Sequence, residues 1–308
     1  MKTNIDTIIK PKDVYKIKNW PVYNKALINR GSLELYLDPN IKNMWYGYSY
    51  EKYSDEAITI MLMIKNAYGL KLRQVTGFMK SVFKLAHLSI EVPDYTTLSR
   101  RSKKLKVKLN KISKEFTAMI IDSTGLKLFG EGEWKVRKHG YNYRRTWRKM
   151  HIAIDTDGEI RAVKDSHSDN HDITEYKNLL DQEESNITDF YGDGAYDSNN
   201  VYDECEKRGI STIHIPPREN ARIFTKNNAV RSEHIKRIRS IGRKEWKQET
   251  GYHKRSLVEN TMYRFKTQFG THLHARSKEN QQMEIVLKCN ILNMFHSLGV
   301  PDSYKVSA

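Results

Sequence analysis

The sequence predicts an α/β fold in which a mixed sheet is flanked by helices. Three observations lead to this prediction: two short, mostly apolar runs each end in an aspartate, a hairpin lies between them, and a helix that carries a glutamate follows. Short apolar runs bounded by turn residues are typical of core strands, and apolar residues at helical spacing are typical of helices packed on a sheet. We therefore expect one sheet whose edge brings the three carboxylates together.

The first apolar run covers residues 117–121 and leads directly into Asp122. It is predicted to be a core strand that delivers this carboxylate at its end. A hairpin is predicted next, over residues 149–156 and 159–164, because Asp157-Gly158 favours a two-residue turn. The hairpin would extend the sheet beside the first strand.

The second aspartate, Asp193, follows an apolar run at residues 187–191 and lies between two glycines. Small neighbours leave room for a backbone or a phosphate to come close. Taken singly, Asp122 or Asp193 could be a helix cap or a turn residue. Their order along the chain favours a site, whereas Asp197 is expected in the turn into the next helix.

Further elements are predicted around the second aspartate. They are helices at residues 173–184 and 198–208, a strand at 212–215, and a C-terminal core helix at 282–298. Periodicity of apolar residues is the basis for each of them.

The most informative pattern is Tyr-x2-Arg-x3-Glu-x6-Lys, formed by Tyr252, Arg255, Glu259 and Lys266. At about 100° per residue, these side chains fall within an arc of about 60° and share one face of a predicted helix. The neighbouring arc carries an apolar stripe that would pack against a sheet, namely Val258, Met262, Phe265 and Phe269. The alternative is a solvated surface helix with an ion pair between Arg255 and Glu259.

Together these elements follow the order of the ribonuclease-H-like fold, and here the chain resembles a known family. It resembles bacterial insertion-sequence transposases of the Asp-Asp-Glu class, in the branch marked by the Tyr-Arg-Glu-Lys signature and, within it, insertion-sequence family five. The resemblance covers most of the chain, and it is anchored at residues 19–24, 30–33, 53–58, 93–101, 121–127, 132–137, 193–197 and 252–266.

The resemblance implies that Asp122, Asp193 and Glu259 are catalytic and hold divalent metal. It also implies that Tyr252, Arg255 and Lys266 contact transposon-end DNA. The implied function is a DNA transposase that binds the terminal inverted repeats of its insertion sequence and catalyses metal-dependent strand cleavage and strand transfer. We expect a homodimer in the complex that brings the two ends together.

One segment departs from the wider branch, in which some members carry a large β-rich insertion. The corresponding residues 216–251 are too few for such a domain. Any task that the insertion performs elsewhere is therefore not assigned to this chain.

The expected cofactor is Mg²⁺, with Mn²⁺ as a substitute. Carboxylates and a scissile phosphate offer the oxygen ligands that such hard cations prefer, and two cations can stabilise both the attacking and the leaving oxygen. His167 and His171 lie in a strongly polar segment without a nearby Cys. We interpret that segment as a solvated capping loop and not as a zinc site.

The charge of the chain agrees with a polyanionic partner. Lys and Arg number 53 against 37 Asp and Glu, a net charge of +16, and a basic field attracts DNA. Two segments are especially basic: residues 127–150 hold eight Lys or Arg against two Glu, and residues 218–247 hold ten against three. Arg237 and Arg239 are predicted phosphate contacts, although a merely soluble basic surface is the alternative.

Aromatic residues lie among these charges, where they could stack on unpaired bases or belong to the core. They are Trp134, Tyr141, Tyr143, Trp147 and Trp246.

Residues 19–112 are predicted to form an N-terminal helical module that binds DNA ends. Ser54 opens one helix, residues 72–85 form a second, and residues 94–105 form a third that carries Thr97, Arg100 and Arg101. The third is a candidate recognition helix in a helix-turn-helix arrangement. A helical cap with a solvated basic face explains the same residues.

The remaining boundaries and classes follow from composition. Residues 1–18 and 301–308 are expected to be tails, and residues 113–300 the catalytic domain. The two cysteines, Cys205 and Cys289, favour buried thiols in a reduced compartment, and no apolar run is long enough to cross a membrane. We therefore expect a cytoplasmic protein.

No nucleotide cofactor is expected, since Gly130-Glu131-Gly132 does not match a phosphate-binding loop. A DNA-binding regulator descended from a transposase and a stand-alone nuclease of the same fold remain alternatives.

Overall fold

The computed structural model describes residues 14–48, 50–112, 116–128, 147–224, 226 and 228–306. The strands are β1 (Val14–Ile17), β2 (Ala118–Leu128), β3 (Trp147–Ile154), β4 (Ile160–His167), β5 (Asp189–Tyr191), β6 (Thr212–His214), β7 (His272–Leu273) and β8 (Ser303–Val306). The helices are α1 (Trp20–Asn29), α2 (Ile41–Trp45), α3 (Asp55–Ala67), α4 (Leu72–Leu85), α5 (Tyr95–Ser102), α6 (Tyr176–Leu180), α7 (Asn199–Lys207), α8 (Ala229–Ile241), α9 (Arg243–Glu249), α10 (Ser256–Phe269) and α11 (Lys278–Leu298).

The predicted mixed sheet is confirmed, and β2 lies at its centre. Its strand order is β4-β3-β2-β5-β6, and β7 also pairs with β2. The pairs β4-β3 and β3-β2 are antiparallel, whereas β2-β5 and β5-β6 are parallel. This topology, with helices on both faces, is consistent with a ribonuclease-H-like domain.

Alternation along β2 gives the sheet two apolar faces. Ile120 and Leu126 pack with α10 and α11, whereas Met119 and Ile121 pack with α6 and α7 on the other face. Because successive side chains of a strand point to opposite faces, one strand can serve both cores. Burying each such side chain contributes about 1.5–3 kcal/mol, so β2 is fixed firmly in the centre.

The two cysteines are buried, one in each of these cores, as predicted. Cys289 lies with α10 and α11, and Cys205 lies with α6 and α7. Both thiols are free, and burial raises the pKa of each to about 12. They are therefore protonated, structural groups.

The predicted hairpin is present, but its turn differs. The loop is held by Asp155, whose Oδ1 accepts from the backbone N–H groups of Asp157, Gly158 and Glu159. Asp155 N–H also donates to the Glu159 carbonyl, and Gly158 has a positive φ of 91°. The turn is therefore a three-residue loop built around a buried aspartate and not the expected two-residue turn.

The helix expected at residues 173–184 is shorter. A 3-10 turn at Asp172–Thr174 precedes α6, which ends at Leu180. Beyond it, the buried Glu183 pairs with Arg161 and Lys111. These partners hold the segment as a loop.

The N-terminal helices share their core with α11. Residues of α3 and α4 such as Met61 and Phe83 pack in one cluster with Leu287 and Ile291 of α11. The connection to β2 is held by the same helix: Asn290 exchanges hydrogen bonds with Lys108 and Asn110, and Asn293 donates to the Asn110 and Ile160 carbonyls. The N-terminal residues are thus a layer built on α11 and not a separate module.

The expected tails also differ. Residues 14–17 form β1, which pairs antiparallel with β8 at residues 303–306. Asn19 fixes the start of α1 to the same region, since its side chain bonds to Val300 and Asp302.

Two N-terminal helices begin as the sequence predicts. Ser54 caps α3 by accepting from the Ala57 N–H, and α4 covers residues 72–85. Among the residues that the structure describes, no helix is long and apolar enough to cross a membrane.

Helix α5 corrects one predicted DNA contact. It is capped by Asp94 and ends at Ser102, three residues earlier than expected. Arg101 is only 8% exposed. Its guanidinium pairs with Glu51 and Asp55, and it donates to the Tyr53 carbonyl at 2.8 Å. Arg101 therefore anchors α5 and is not available to DNA.

We expect Arg101→Ala to lower the free energy of unfolding by about 1–3 kcal/mol, because bonds to a charged group in a buried position are lost. Its neighbour Arg100 is exposed, so Arg100→Ala is a matched control that should change stability by less than about 0.5 kcal/mol. Urea unfolding of the two variants measures the difference. Equal stability would show that the Arg101 network contributes nothing.

Candidate active site

The parallel register of β2 and β5 places the two predicted aspartates side by side. Ile120 pairs with Tyr191, and each aspartate, Asp122 and Asp193, lies two residues beyond that pair. Neighbouring strands lie about 4.8 Å apart. Because side chains alternate, Asp122 points to the same face as Ile120, the face covered by α10.

Asp193 ends its strand in a tight turn. Its Oδ1 accepts from the Ala195 N–H at 2.8 Å and so caps a 3-10 turn at Gly194–Tyr196. Gly192 is close-packed, since a Cβ there would come within 3.2 Å of the Tyr196 ring. A glycine is therefore needed at position 192 for packing against Tyr196, in addition to any room that it leaves for a ligand.

Glu259 lies in the first turn of α10, but the predicted single helix is wrong in its first part. Gly251 has a left-handed φ of 65°, and Tyr252–Arg255 forms a 3-10 turn before α10 begins at Ser256. Tyr252 and Arg255 therefore lie in a 3-10 turn and not in the regular helix, although Arg255 still pairs with Glu259 four residues further on. The apolar stripe is confirmed, since Val258, Met262 and Phe265 are buried against the sheet.

Arg255 connects two of the three carboxylates. Its Nη2 donates to Asp122 Oδ2 at 2.7 Å, and its Nη1 donates to Glu259 Oε1. The predicted ion pair with Glu259 is confirmed, and the bond to Asp122 joins residues 133 positions apart. Glu259 is otherwise open to solvent, with 57% of its side chain exposed.

The surroundings of Asp122 shift its pKa. Burial raises the pKa of Asp122, the charge of Arg255 opposes this rise, and the charges of Asp193 and Glu259 add to it. The pKa of Asp122 stays above its ordinary value despite the ion pair. A cation that took the place of Arg255 would therefore stabilise the charged form of the Asp122 carboxylate.

Lys266 and a polar network border the same strand. Lys266 Nζ donates to Thr124 Oγ1 at 2.6 Å. On the opposite face Ser123 Oγ donates to Asp172 Oδ1 at 2.7 Å, and Lys149 donates to the same oxygen at 3.1 Å. Thr124 thus holds Lys266 on one face of β2, and Ser123 holds the carboxylate of Asp172 on the other face.

Tyr252 lies beside a basic cavity. Its ring packs at 6.0 Å from the ring of Trp246, and burial raises the pKa of Tyr252 to about 12. The cavity of about 630 Å³ between Asp193 and the segment 216–251 is lined by Gly194, Pro216, Pro217, Arg218, Glu219, Asn220, Arg243, Lys247 and Tyr252. The short insertion therefore forms a wall of the site.

Two family models match this chain, and both are described as a Transposase DDE domain. One matches residues 113–294, which is more than half of the chain, and the other matches residues 28–131. The chain belongs to the DDE transposase family. Membership assigns a transposase function, a polynucleotidyl-transferase type of enzyme, and DNA as a partner.

The three carboxylates that the sequence predicts to be catalytic are not already arranged as a metal site. Among the described residues, no group of three His, Cys, Asp or Glu side chains lies close enough together to hold a metal ion. Instead, the Arg255 guanidinium lies between Asp122 and Glu259. The donor atoms are nevertheless carboxylate oxygens, which suit a hard divalent cation.

The basic segment 216–251 is folded as α8 and α9. Trp246 is buried between His234 and Tyr252, so the possibility that it stacks on DNA bases is wrong. Arg237 is exposed but pairs through two bonds of 3.0 Å with Glu249. Arg239 donates to the Ala221 carbonyl and has no ion pair among the described residues.

The other basic segment lies mostly outside the described residues. This applies to Trp134, Tyr141 and Tyr143, and to the charges between them. At its end, Lys127 lies 5.5 Å from the centre of the Trp147 ring.

Three residues near the site were missed by sequence reasoning. Asp172 was assigned to a solvated capping loop, and Ser123 and Tyr196 were given no role. Burial would raise the pKa of Asp172, but hydrogen bonds from Ser123 and Lys149 lower it below its ordinary value. Sequence position was the available signal. Ser123 directly follows Asp122, Tyr196 lies three residues after Asp193, and Asp172 directly precedes a predicted helix.

Asp197 precedes α7 as expected, but it has a larger structural task. Its buried carboxylate accepts from Arg231 Nε at 2.7 Å and Nη2 at 2.9 Å, and from the Arg218 N–H at 3.1 Å. It thereby ties the insertion to the domain.

We expect Asp197→Ala to lower the free energy of unfolding by about 3–5 kcal/mol, because it leaves a largely buried guanidinium unpaired. Asp193→Ala is the matched control: Asp193 forms no ion pair among the described residues, so its loss removes a cap that contributes about 1 kcal/mol. Urea unfolding of both variants measures how much each aspartate contributes to the free energy of unfolding. Similar midpoints would contradict the structural assignment of Asp197.

Proposed function

We propose that this DDE transposase binds the terminal inverted repeats of its own insertion sequence and catalyses metal-dependent strand cleavage and strand transfer. The observation that carries the proposal is the position of Asp122 and Asp193 beside each other on neighbouring strands, with Arg255 bonded to both Asp122 and Glu259 and with Lys266 bonded to Thr124 of the same strand as Asp122. The same residues support membership of the Tyr-Arg-Glu-Lys branch and, within it, insertion-sequence family five.

Asp122, Asp193 and Glu259 would hold Mg²⁺ or Mn²⁺. When bound, such cations supply an activated nucleophile and stabilise the departing oxygen of the phosphodiester. The backbone of Asp122 is held within β2, and that of Glu259 is held in the first turn of α10, so regular structure fixes the positions of both residues.

Arg255 is the residue whose partners must change. Without DNA it donates to Asp122 and Glu259. A phosphate accepts a guanidinium in the same forked geometry as a carboxylate, so transposon-end DNA would compete for Arg255. Transfer of Arg255 to a phosphate frees both carboxylates at the moment when substrate arrives.

Other basic groups would hold the DNA around the site. Lys266 lies beside Thr124 in the middle of β2, and Tyr252 with Arg218 and Arg243 lines the neighbouring cavity. Arg239 and, to a smaller extent, Arg237 extend this positive surface along α8. A homodimer that brings the two ends together is part of the proposal.

The N-terminal layer would read the terminal repeat through α5. Thr97 is partly exposed and Arg100 is exposed on this helix, whereas Arg101 is engaged in the core. Helix α5 is short, and Arg100 in its last turn is the exposed basic residue that would approach a groove.

We expect Asp122→Ala, Asp193→Ala and Glu259→Ala each to abolish cleavage of a terminal-repeat duplex in Mg²⁺ or Mn²⁺. End binding should persist, and Asp122→Ala should even strengthen it, because Arg255 is released. Asp169→Ala, which removes an exposed carboxylate nearby, is the matched control and should cleave normally. The repeat is obtained by sequencing the DNA around the reading frame.

Substantial cleavage by any of the three alanine variants would contradict the catalytic role of the residue that it lacks. If the unmutated protein binds the duplex but does not cleave it, the result would favour the DNA-binding regulator. Cleavage without joining of the freed ends to a target duplex would favour the nuclease.

A second prediction separates sequence reading from phosphate binding. Thr97→Ala or Arg100→Ala should reduce the preference for the repeat over a scrambled duplex, because base-edge contacts carry sequence information. Arg239→Ala should weaken both complexes alike and reduce the log–log salt slope by about one unit. Arg237→Ala, whose charge is already paired with Glu249, should have the smaller effect.

Fluorescence anisotropy with both duplexes across a salt series makes this measurement. An Arg100 variant that loses affinity equally for both duplexes would show that α5 belongs to the general electrostatic surface. Equal effects of Arg237→Ala and Arg239→Ala would show that the Glu249 pair does not persist.

A further inference from the structure

A second basic cavity, here called the interlayer cavity, lies between the N-terminal layer and the start of α11. Its volume is about 630 Å³, and it is lined by residues of α3, α4 and α5 on one side and by residues of the segment 274–287 on the other. It shares no lining residue with the cavity beside Tyr252. A cavity of this size can hold a whole small molecule, so it has room for more than one phosphate group.

Five cationic side chains from both sides line the interlayer cavity. They are Lys65, Lys71, Arg73, Lys103 and Arg276. Apart from Lys71, none of them forms an ion pair with another residue that the structure describes. The cavity therefore carries positive charge that the surrounding side chains do not neutralise.

Glu284 is the one carboxylate among the described lining residues, and its oxygens already have partners. It is buried, pairs with the buried Lys288 at 2.7 Å, and accepts from the backbone N–H groups of His274 and Ala275. Because Lys288 already balances Glu284, the five lining cations keep their excess charge.

Lys65 is the least exposed of these cations. Its Nζ donates to Asn66 Oδ1 at 3.2 Å. Burial lowers the pKa of Lys65, and the charge of Glu284 opposes this change, whereas the nearby lysines lower the pKa further. A charged group that has lost part of its water is stabilised by opposite charge, so an anion in the cavity would interact favourably with Lys65.

Helix α5 connects the interlayer cavity to the surface that is proposed to read the terminal repeat. Tyr95, Ser99 and Ser102 of this helix line the cavity. Ser99 lies about 100° around the helix from Arg100, the exposed residue proposed to approach a groove. A helix that fills the major groove has a phosphate backbone along each side. The cavity would therefore face one of these two backbones.

We propose that the interlayer cavity binds phosphate groups of the DNA backbone beside the groove that α5 reads, with Lys103 and Arg276 holding this backbone from opposite sides. The inference rests on the proposed function, because it takes DNA as the ligand. Arg276 lies between β7 and α11, and β7 pairs with β2 at Lys127 and Leu128. A backbone held by both sides would thus fix the repeat relative to the strand that carries Asp122.

Lys103→Ala and Arg276→Ala test the site, because both side chains are exposed. Each change should weaken binding of the terminal-repeat duplex about tenfold, the effect of losing one bond to a charged group. Each should also reduce the log–log salt slope by about one unit. A scrambled duplex should be affected alike, because phosphate contacts carry no sequence information.

Lys207→Ala is the matched control. Lys207 is an exposed lysine at the end of α7, which packs on the opposite face of the sheet. This variant should bind both duplexes as the unmutated protein does, and none of the three changes should shift the urea midpoint measurably.

Duplexes in which single phosphates are replaced by neutral methylphosphonates identify the bound groups. At a few neighbouring positions, the replacement should weaken binding by the unmutated protein. The double variant Lys103→Ala/Arg276→Ala should be insensitive at the same positions, because it no longer holds those phosphates.

Unchanged duplex binding by the double variant would overturn the inference. If pyrophosphate then raises the melting temperature of the unmutated protein but not that of the double variant, the cavity takes a free phosphate compound and not DNA. In both cases the unmutated protein would still bind and cleave the terminal repeat, so the proposed function would stand. Failure of the unmutated protein to bind either duplex would contradict the proposed function and this inference together.

Discussion

Arg255 forms the interaction on which the candidate site depends in the protein without substrate, because burial and the charges of Asp193 and Glu259 raise the pKa of Asp122 and the charge of Arg255 lowers it. It bonds to Asp122 and Glu259 at once, and so joins the central strand to α10. Without Arg255, the pKa of Asp122 would rise further, and a protonated carboxyl is a poor ligand for metal. The ion pair thus favours the charged form of this acid.

The order of elements could be predicted from the sequence because it depends on local patterns. Apolar runs before Asp122 and Asp193 identified β2 and β5, although β2 does not end at Asp122 as predicted and continues to Leu128. The Ser54 cap and the apolar periodicity identified α3 and α4. The stripe on α10 likewise identified its buried face. Each of these features is decided by residues within about four positions of one another.

What could not be predicted depends on contacts between distant residues or on backbone conformation. Arg101 looks like any other basic residue of α5 until Glu51 and Asp55 are brought to it. A 3-10 turn at Tyr252–Arg255 replaces the first part of what periodicity treats as one helix, so Arg255 reaches Asp122 from that turn. Asp172 lies in a polar loop and gains its place only through Ser123 on the neighbouring strand.

Helix α11 completes both the sheet core and the N-terminal core. During synthesis, the helices at residues 55–102 are made roughly 180 residues before it, which at typical elongation rates is on the order of ten to thirty seconds. Throughout that interval their apolar faces lack the surface that buries them. A polypeptide interrupted before α11 therefore leaves the ribosome with neither core closed, as a substrate for chaperones and proteases and not as a folded competitor of the complete enzyme.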